Sequence, residues 1–165
     1  MKKQMNYKIG DPREFSAAEI SAFLRLLIKQ DKVHDPSAEK LSRCKLLAIA
    51  INGTEVVAIG AVKPKTHSDF QTHKADLAAL SKQYHWEIGY FFTEPAFEGR
   101  KISSSIIDGL LKICGSRNLM ASTEVREGNR MINLLENRGF KKSGKSWTST
   151  KSGEQLALYL REGSF

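Results

Sequence analysis

Serine hydroxyls and two cations cluster where a strand-like segment gives way to a helix-like one. Residues 86–92 are apolar and strand-like, Pro95 ends that run, and a short loop leads into an apolar helical repeat that starts at Ile102. Backbone N–H groups in the first turn of a helix have no partner within the helix, and with the helix dipole they bind phosphate or pyrophosphate. Further donors stand in the same stretch, namely Arg100, Lys101, Ser103, Ser104 and Ser105. The segment is interpreted either as an ordinary helix start, which is favoured from these residues alone, or as a seat for a phosphorylated ligand.

Two helices near the N-terminus can be read from their capping residues. Ser16 and Glu19 form a capping box ahead of apolar residues at helical spacing, which predicts a helix over 17–29. Asp35-Pro36 supplies a cap and a first-turn proline for a short second helix that ends near Cys44.

The remaining pattern predicts a sheet with crossover helices. Asn52-Gly53 stands between two β-branched runs and predicts a tight hairpin, because both residues tolerate positive φ, and Gly139 is predicted to stop the last helix. The predicted strands cover residues 6–9, 46–51, 55–62, 86–92, 119–125, 140–148 and 155–160, and further helices cover 102–114 and 129–137. This order predicts a single α/β (α+β) domain over residues 1–165, a mixed sheet of about six to seven strands flanked by helices on both faces.

The polar stretch 63–84 is longer than a simple connection between two strands. Asp69 is predicted to cap a helix that carries Leu77 and Leu80. The stretch is interpreted either as a substrate lid or as an exposed helix with ordinary solubility charges, and the second interpretation is favoured.

Two blocks of sequence resemble the motifs of the GNAT N-acetyltransferase superfamily. Its motif A, V-x-P-x-x-R-G-x-G-I-G before an amphipathic helix, is similar to T-E-P-A-F-E-G-R-K-I-S at residues 93–103. Its motif B, E-V-x-x-x-N followed by L-Y-E-K-x-G-F, resembles E-V-R-E-G-N at 124–129 and L-L-E-N-R-G-F at 134–140. The order of elements is also similar, so the resemblance covers nearly the whole chain and implies a GNAT-like fold with acyltransferase activity.

The departures from motif A lie in the loop itself. Glu98, Lys101 and Ser103 replace the family's Arg or Gln and two of its glycines, and only Gly99 is retained. In the favoured interpretation, Lys101 and the serines compensate by charge and hydroxyl donation while they adopt helical φ/ψ. In the other, the added side chains narrow the seat and weaken acyl-CoA binding. Motif B is also one residue short between its two halves.

The resemblance implies that an amine attacks the thioester of an acyl-CoA directly, and acetyl-CoA is the favoured co-substrate. The acceptor would be a primary amine on a small molecule or a protein. In the family, the strand before the loop pairs with the pantetheine arm, and one of its N–H groups polarises the thioester carbonyl. Carried over by position, the coenzyme-binding residues are Phe91, Phe92, Thr93, Gly99, Arg100, Lys101, Ile102, Ser103, Ser104 and Asn129.

Glu87 is the candidate catalytic residue. It lies six residues before Thr93, so strand alternation puts it on the same face as Gly89, Phe91 and Thr93. Family members that resemble histone acetyltransferases carry a general-base glutamate at this spacing, and a carboxylate there can accept the ammonium proton through a water. A strand-end glutamate that satisfies a basic neighbour is the alternative, and the sequence leaves both open.

The general acid has no clear candidate. Many family members have a tyrosine in motif B that reprotonates the CoA thiolate, and the matching position is Leu135. Water can protonate that leaving group, so the substitution need not abolish turnover. Tyr84, His85 and Tyr90 are the nearby substitutes.

Composition sets the remaining expectations. A chain of 165 residues with 41% hydrophobic and 27% charged residues is typical of a globular protein, and no apolar run is long enough for a membrane span. A cytoplasmic location without a membrane partner is therefore expected. Cys44 and Cys114 are predicted to be buried, reduced thiols, and neither they nor the histidines have the spacing of a metal site.

The formal net charge of +8 favours an anionic partner. Part of the excess positive charge lies in a stretch that has no acidic residue, and this stretch is interpreted first as a solvated face. Its basic residues are Arg138, Lys141, Lys142, Lys145 and Lys151. Two functions compete with acetyl transfer: a non-catalytic GNAT-like module that binds CoA or nucleic acid, and a GNAT-like modifier of nucleic acid. A homodimer is a further expectation.

Overall fold

The computed structural model describes residues 4–163, so residues 1–3 and 164–165 of the predicted domain lie outside the described part. The strands are β1 (Met5–Gly10), β2 (Leu46–Asn52), β3 (Glu55–Pro64), β4 (Trp86–Thr93), β5 (Leu119–Glu124), β6 (Lys141–Thr148) and β7 (Gln155–Arg161). The α-helices are α1 (Ala17–Gln30), α2 (Ala38–Ser42), α3 (Ile102–Cys114) and α4 (Arg130–Glu136). Short 3-10 helices cover Pro12–Glu14, His67–Phe70, Ala78–Gln83 and Pro95–Phe97.

The strands form one mixed sheet in the order β1-β2-β3-β4-β5-β7-β6. β1 with β2, β2 with β3, β5 with β7 and β7 with β6 are antiparallel, whereas β4 and β5 run parallel. The predicted mixed sheet of the α+β class is confirmed. The crossover through α3 is what makes a parallel pair feasible, since parallel neighbours need a long connection.

Contacts divide the chain into two compact units, and each is described by itself. One comprises the chain up to Lys63 together with Gly89–Cys114. The other comprises Pro64–Ile88 together with the chain from Gly115 onward. The prediction of one domain over residues 1–165 stays a prediction.

Helix α1 begins as its sequence predicted. Ser16 accepts a hydrogen bond from the Glu19 N–H at 3.1 Å, and the Glu19 carboxylate accepts one from the Ser16 N–H at 2.8 Å. The buried side of α1 presents Phe23, Leu26 and Leu27 to the core. A reciprocal cap and an apolar stripe are both local signals, which is why the sequence located this helix well.

Two local predictions in the same unit need correction. Helix α2 begins at Ala38 with Ser37 as its cap, because Ser37 accepts from the Lys40 N–H while Asp35 is left-handed with φ +48°. The hairpin turn is one residue later than predicted: Asn52 pairs with Glu55 across the ladder, so the two loop residues are 53 and 54.

The stretch between β3 and β4 is not an exposed helix, which corrects the favoured interpretation. It contains two 3-10 helices, and Asp69 lies inside the first of them rather than capping an α-helix. Phe70 and Ala75 are fully buried, and Tyr84 is only 4% exposed. These side chains join a core cluster with Met120, Trp147 and Leu158. Apolar anchors fix the stretch against the core of its own unit despite its polar composition.

Helix α4 ends at Glu136, and Gly139 takes a left-handed conformation after it, at the predicted stop. The Gly139 N–H donates to the Glu136 carbonyl at 3.2 Å, and the Phe140 N–H donates to the Leu135 carbonyl at 3.1 Å. This pair of bonds is the Schellman motif, in which a glycine takes the left-handed position after the helix.

Both thiols are free and buried, as predicted. Burial raises the pKa of the Cys44 thiol to about 12. Within residues 4–163, no group of three or more His, Cys, Asp or Glu side chains could hold a metal ion. None of the helices in that part of the chain is long and apolar enough to cross a membrane.

Candidate functional site

The C-terminal half of β4, the loop after it and the start of α3 belong to one compact unit. β4 ends at Thr93, a single 3-10 turn covers Pro95–Phe97, and α3 starts at Ile102. The predicted strand, loop and helix are therefore present, and Pro95 follows the strand end as expected. The Glu94 N–H donates to the Val57 carbonyl of β3 at 2.8 Å, which fixes where the loop leaves the sheet.

Tyr90 interrupts the regular geometry of β4. Its φ is +63°, a left-handed conformation that a tyrosine rarely adopts. Side chains alternate between the two faces only in a regular strand. Alternation therefore no longer shows whether Glu87 and Thr93 lie on the same face of the sheet. Strained residues of this kind concentrate at functional sites, and this one lies next to the strand residues predicted to bind pantetheine.

Phe91 packs closely against β3 and α3. A Cβ atom built on Gly60 would lie 2.6 Å from the Phe91 ring and 2.7 Å from the Ile106 side chain. No L side chain fits at position 60 without moving both neighbours. Tyr90 and Phe92 instead pack against the core cluster that contains Phe23.

The loop has left-handed residues at 99 and 101. Gly99 has φ +78° and Lys101 has φ +60°. Position 101 is where the family motif has its second glycine, so the backbone keeps the glycine-like conformation although the residue is lysine. The prediction that Lys101 adopts helical φ/ψ is wrong. A left-handed lysine costs roughly 1–3 kcal/mol, which the rest of the loop has to offset.

The side chains of the loop do not fill the predicted seat for a phosphorylated ligand. Glu98, Arg100 and Lys101 are exposed, and a Cβ on Gly99 would meet no atom within 4 Å. Arg100 stacks on the Phe97 ring, with 4.9 Å between the guanidinium carbon and the ring centroid. The space beside Gly99 is what a phosphorylated ligand needs in order to approach the backbone.

The first turn of α3 faces the end of β4. The Ser105 N–H donates to the Lys101 carbonyl at 3.1 Å, which makes this the first bond of the helix. The N–H groups of residues 102–104 precede that bond and have no partner inside the helix. The hydroxyls of Thr93 and Ser103 lie 3.2 Å apart. Strand end and helix start are thereby linked at the predicted coenzyme-binding residues.

Helix α1 holds β4 and the loop through two side chains that the sequence did not single out. The Gln30 amide nitrogen donates to the Phe91 carbonyl at 2.7 Å, and the Lys29 ammonium lies 2.7 Å from a Glu94 carboxylate oxygen. The Gln30 amide oxygen is buried and lacks a hydrogen-bond partner among the described residues. Polar residues at the end of an amphipathic helix give no signal for such long-range contacts.

Glu87 lies in the other unit and is only 6% exposed. One of its carboxylate oxygens accepts from the Thr66 N–H at 2.9 Å and from the Thr66 hydroxyl at 2.8 Å. Thr66 is a further residue that sequence reasoning missed, because it stands in a polar stretch without periodicity. Thr66 is thus one partner of Glu87; the catalytic role of Glu87 and the alternative of a basic neighbour both stay predictions.

Asn129 and Leu135, the motif B residues, also belong to the second unit. Asn129 caps α4: its side-chain oxygen accepts from the Met131 N–H at 3.1 Å, and its amide donates to the Glu124 carbonyl and the Thr123 hydroxyl. Every one of these contacts is structural. Leu135 is fully buried and packs as a core residue. The chain therefore has no hydroxyl at the position where many family members have the tyrosine that acts as general acid.

The acid-free basic stretch does not form one uniform surface. Arg138 donates to the Leu134 carbonyl of its own helix, and Lys145 lies 3.3 Å from an Asp76 carboxylate oxygen. Lys141 and Lys142 are consecutive residues of a strand, so their side chains point to opposite faces of the sheet. This geometry fits a solvated strand better than a continuous nucleic-acid surface.

The sequence pattern of the acetyltransferase (GNAT) family matches residues 13–140. The chain belongs to that family. The match includes α1, the hairpin, the loop before α3 and both parts of motif B. Comparison with curated protein sequences gives no match.

Solved GNAT-family structures have the same fold at low sequence identity. ElaA from Escherichia coli aligns with a TM-score of 0.72 and 13% identity over 96% of this chain and 100% of its own. An acyl-CoA N-acyltransferase from Pseudomonas aeruginosa aligns with a TM-score of 0.71 and 10% identity over 96% and 99%. NAA60 from Arabidopsis thaliana, in complex with a bisubstrate analogue, aligns with a TM-score of 0.68 and 10% identity over 98% and 100%. At these identities the likeness shows the fold alone.

Proposed function

We propose that this protein transfers the acetyl group of acetyl-CoA to a primary amine of a small molecule or protein. The observation that carries the proposal is the loop before α3. Gly99 and Lys101 are both left-handed, the space beside Gly99 is open, and three helix-start N–H groups follow directly. The backbone at position 101 thus keeps the conformation of a motif glycine although the residue is lysine.

The residues present fit the diphosphate of a coenzyme. The N–H groups of Ile102, Ser103 and Ser104 would bind it, and the exposed Arg100 and Lys101 side chains would add positive charge. The backbone of residues 91–93 would pair with the pantetheine arm. Asn129 is carried over from the family motif, and its contacts in this structure are those of a helix cap.

Acetyl-CoA supplies an activated acyl group and a thiolate leaving group. The amine nitrogen forms a bond to the carbonyl carbon, the carbon–sulfur bond breaks, and its electron pair stays on sulfur. Glu87 would accept the proton that the ammonium must lose before attack, directly or through a water. An N–H of β4 would donate to the carbonyl oxygen as negative charge develops there. The nitrogen loses its second proton to solvent as the amide forms, and water can protonate the thiolate, since position 135 is a buried leucine that cannot donate.

The direct test is ligand-induced stabilisation. The thermal midpoint of the protein would be measured with acetyl-CoA, with CoA and with a short DNA duplex, each at two salt concentrations. A ligand at a hundredfold excess over its Kd stabilises the native state by about 2.7 kcal/mol, which shifts the midpoint by several degrees. We expect a shift with both CoA species. No shift with either would contradict the proposal.

The same experiment addresses the non-catalytic alternative, which the buried Leu135 favours because it removes the usual general acid. Stabilisation by CoA without acetylation of any amine indicates a coenzyme-binding module. Stabilisation by DNA alone, lost at high salt, indicates a nucleic-acid partner or substrate, because phosphate contacts are linked to counterion release. A cytoplasmic location and a homodimer remain proposals from the sequence.

A further inference from the structure

Three consecutive residues after β3 make contacts on alternating sides. Lys65 and His67 both contact Ser81, whereas Thr66 between them contacts Glu87. All of these residues lie in the second compact unit. The alternation is that of an extended chain, so anchoring residues 65 and 67 on one side directs residue 66 to the other.

The contacts on the Ser81 side are specific, with a buried Ser81 between a half-buried Lys65 and an exposed His67. The Lys65 ammonium donates to the Ser81 hydroxyl at 2.9 Å and lies 5.6 Å from the centroid of the Phe70 ring. The Ser81 hydroxyl is 3.0 Å from the His67 Nδ1 atom, and Ser81 is 5% exposed. The Lys65 N–H also donates to the His85 carbonyl at 3.2 Å. The backbone on both sides of Thr66 is therefore fixed.

Thr66 uses both of its donors on one carboxylate oxygen. Its N–H and its hydroxyl reach the same Glu87 oxygen, Oε1, at 2.9 and 2.8 Å. Two bonds to one atom fix the position of that oxygen and so restrict the rotation of the carboxylate. Both donors belong to the same neutral residue.

We propose that Thr66 is the positioning residue of the general base, and that residues 64–85 are a rigid frame for Glu87 rather than a substrate lid. The inference rests on the proposed function, because it gives the frame its purpose. Proton transfer needs the carboxylate within hydrogen-bond reach of its proton donor, and a rotated carboxylate loses that geometry. The hydroxyl of Thr66 is the part of the frame that a single substitution can remove.

The test compares Thr66→Val with Thr66→Ser. Valine keeps the shape and the backbone N–H but lacks the hydroxyl, whereas serine keeps the hydroxyl. Thr72→Val is the matched control, because Thr72 is an exposed threonine of the same segment. The wild type would first be tested with three amine acceptors: spermidine, a lysine peptide and a peptide with a free N-terminus. The rates of all variants would then be measured with acetyl-CoA and the amine that the wild type acetylates fastest.

We expect Thr66→Val to lower kcat about tenfold, the usual effect of losing a hydrogen bond to a charged group. The KM for acetyl-CoA should stay within about twofold, Thr66→Ser should recover most of the rate, and Thr72→Val should match the wild type. Thermal denaturation of each variant sets a common assay temperature at which all are folded. Thr66→Ala replaces Thr66→Val if the latter does not fold.

Two results would overturn the inference alone: an unchanged kcat in Thr66→Val, or an equal loss in Thr66→Ser, when Glu87→Gln is inactive. Full activity of Glu87→Gln would show that Glu87 is not the general base. That result would overturn the inference about Thr66 as well, but it would leave the proposed acetyl transfer intact. If the wild type binds no acetyl-CoA, the proposed function itself fails. The four variants and the binding measurement therefore separate the claims.

Discussion

Two irregular connections of this chain are similar in polarity and opposite in structure. The loop after β4 exposes most of its side chains and leaves open space beside Gly99. The segment between β3 and β4 buries Phe70, Ala75 and Tyr84, and part of its charge is held within the segment: Lys65 donates to Ser81, and Lys74 lies 3.4 Å from an Asp69 carboxylate oxygen. An open loop can receive a ligand, whereas a closed segment can only hold its neighbours. The charge content of the two segments alone did not show which one is open and which one is closed.

The largest expected effect tests the buried anchor of the closed segment. Phe70→Ala removes a fully buried ring and should lower the free energy of unfolding by about 3–5 kcal/mol. The matched change in the open loop, Phe97→Ala, should cost less than about 1 kcal/mol, because that ring is partly exposed. Urea unfolding measures both. Equal losses would show that the two connections do not differ in packing.

The next effect concerns the carboxylate that the closed segment holds. Glu87→Gln should lower turnover by at least about 100-fold, because an amide cannot accept the proton, while the Kd for acetyl-CoA is unchanged. Glu55→Gln, the same change at an exposed strand end, should leave turnover unchanged. Steady-state kinetics and calorimetry measure these. A twofold loss or less would exclude Glu87 as the base.

Each connection also contains a left-handed residue that is not glycine. Lys101→Gly should raise the free energy of unfolding by about 1 kcal/mol, since it relieves the strain at φ +60°. Asp76→Gly, also at φ +60°, should gain less, because it removes the pairing with Lys145. Thermal denaturation of both variants gives the comparison. If Lys101→Gly is destabilising, the lysine side chain contributes contacts that outweigh its backbone strain.

The smallest expected effect is the loss of stability when an exposed charge is removed, compared with the loss when a buried charge is removed. Glu94→Gln removes the ion pair with Lys29 at the open loop and should change stability by less than about 0.5 kcal/mol. Asp69→Asn replaces a carboxylate that is 4% exposed in the closed segment and should cost about 1–2 kcal/mol. The same unfolding curves test it. A larger loss at Glu94 would mean that the loop depends on α1 for its shape.

Most of the secondary structure could be predicted because its signals are local. The capping box of α1, the apolar stripe of α3 and the Schellman end of α4 each involve residues within one or two helical turns. The cap of α2 and the turn of the hairpin were off by one or two positions, since Ser37 competes with Asp35 and the β2–β3 ladder extends to Asn52. Such competition depends on the register of neighbouring elements.

The candidate site divides in the same way. The strand, loop and helix at residues 86–114 and the family motifs could be found from residue types and spacing. Gln30 and Thr66 could not, because each reaches a residue more than twenty positions away, through the 2.7 Å bond to Phe91 and the two bonds to Glu87. No periodicity or motif connects such positions.

The sequence by itself determined the element order, the family and the position of the motif A loop, because each depends on residues that are neighbours along the chain. Only the tertiary structure decided the backbone conformation of Lys101 and the burial of the apolar anchors within residues 64–85. Both outcomes depend on residues that are distant along the chain or on how two elements are joined. Lys101 lies in the loop that joins the end of β4 to α3, and it takes a positive φ that its residue type does not indicate. Distant core residues such as Trp147 and Leu158 bury a polar segment that its own composition would leave in water.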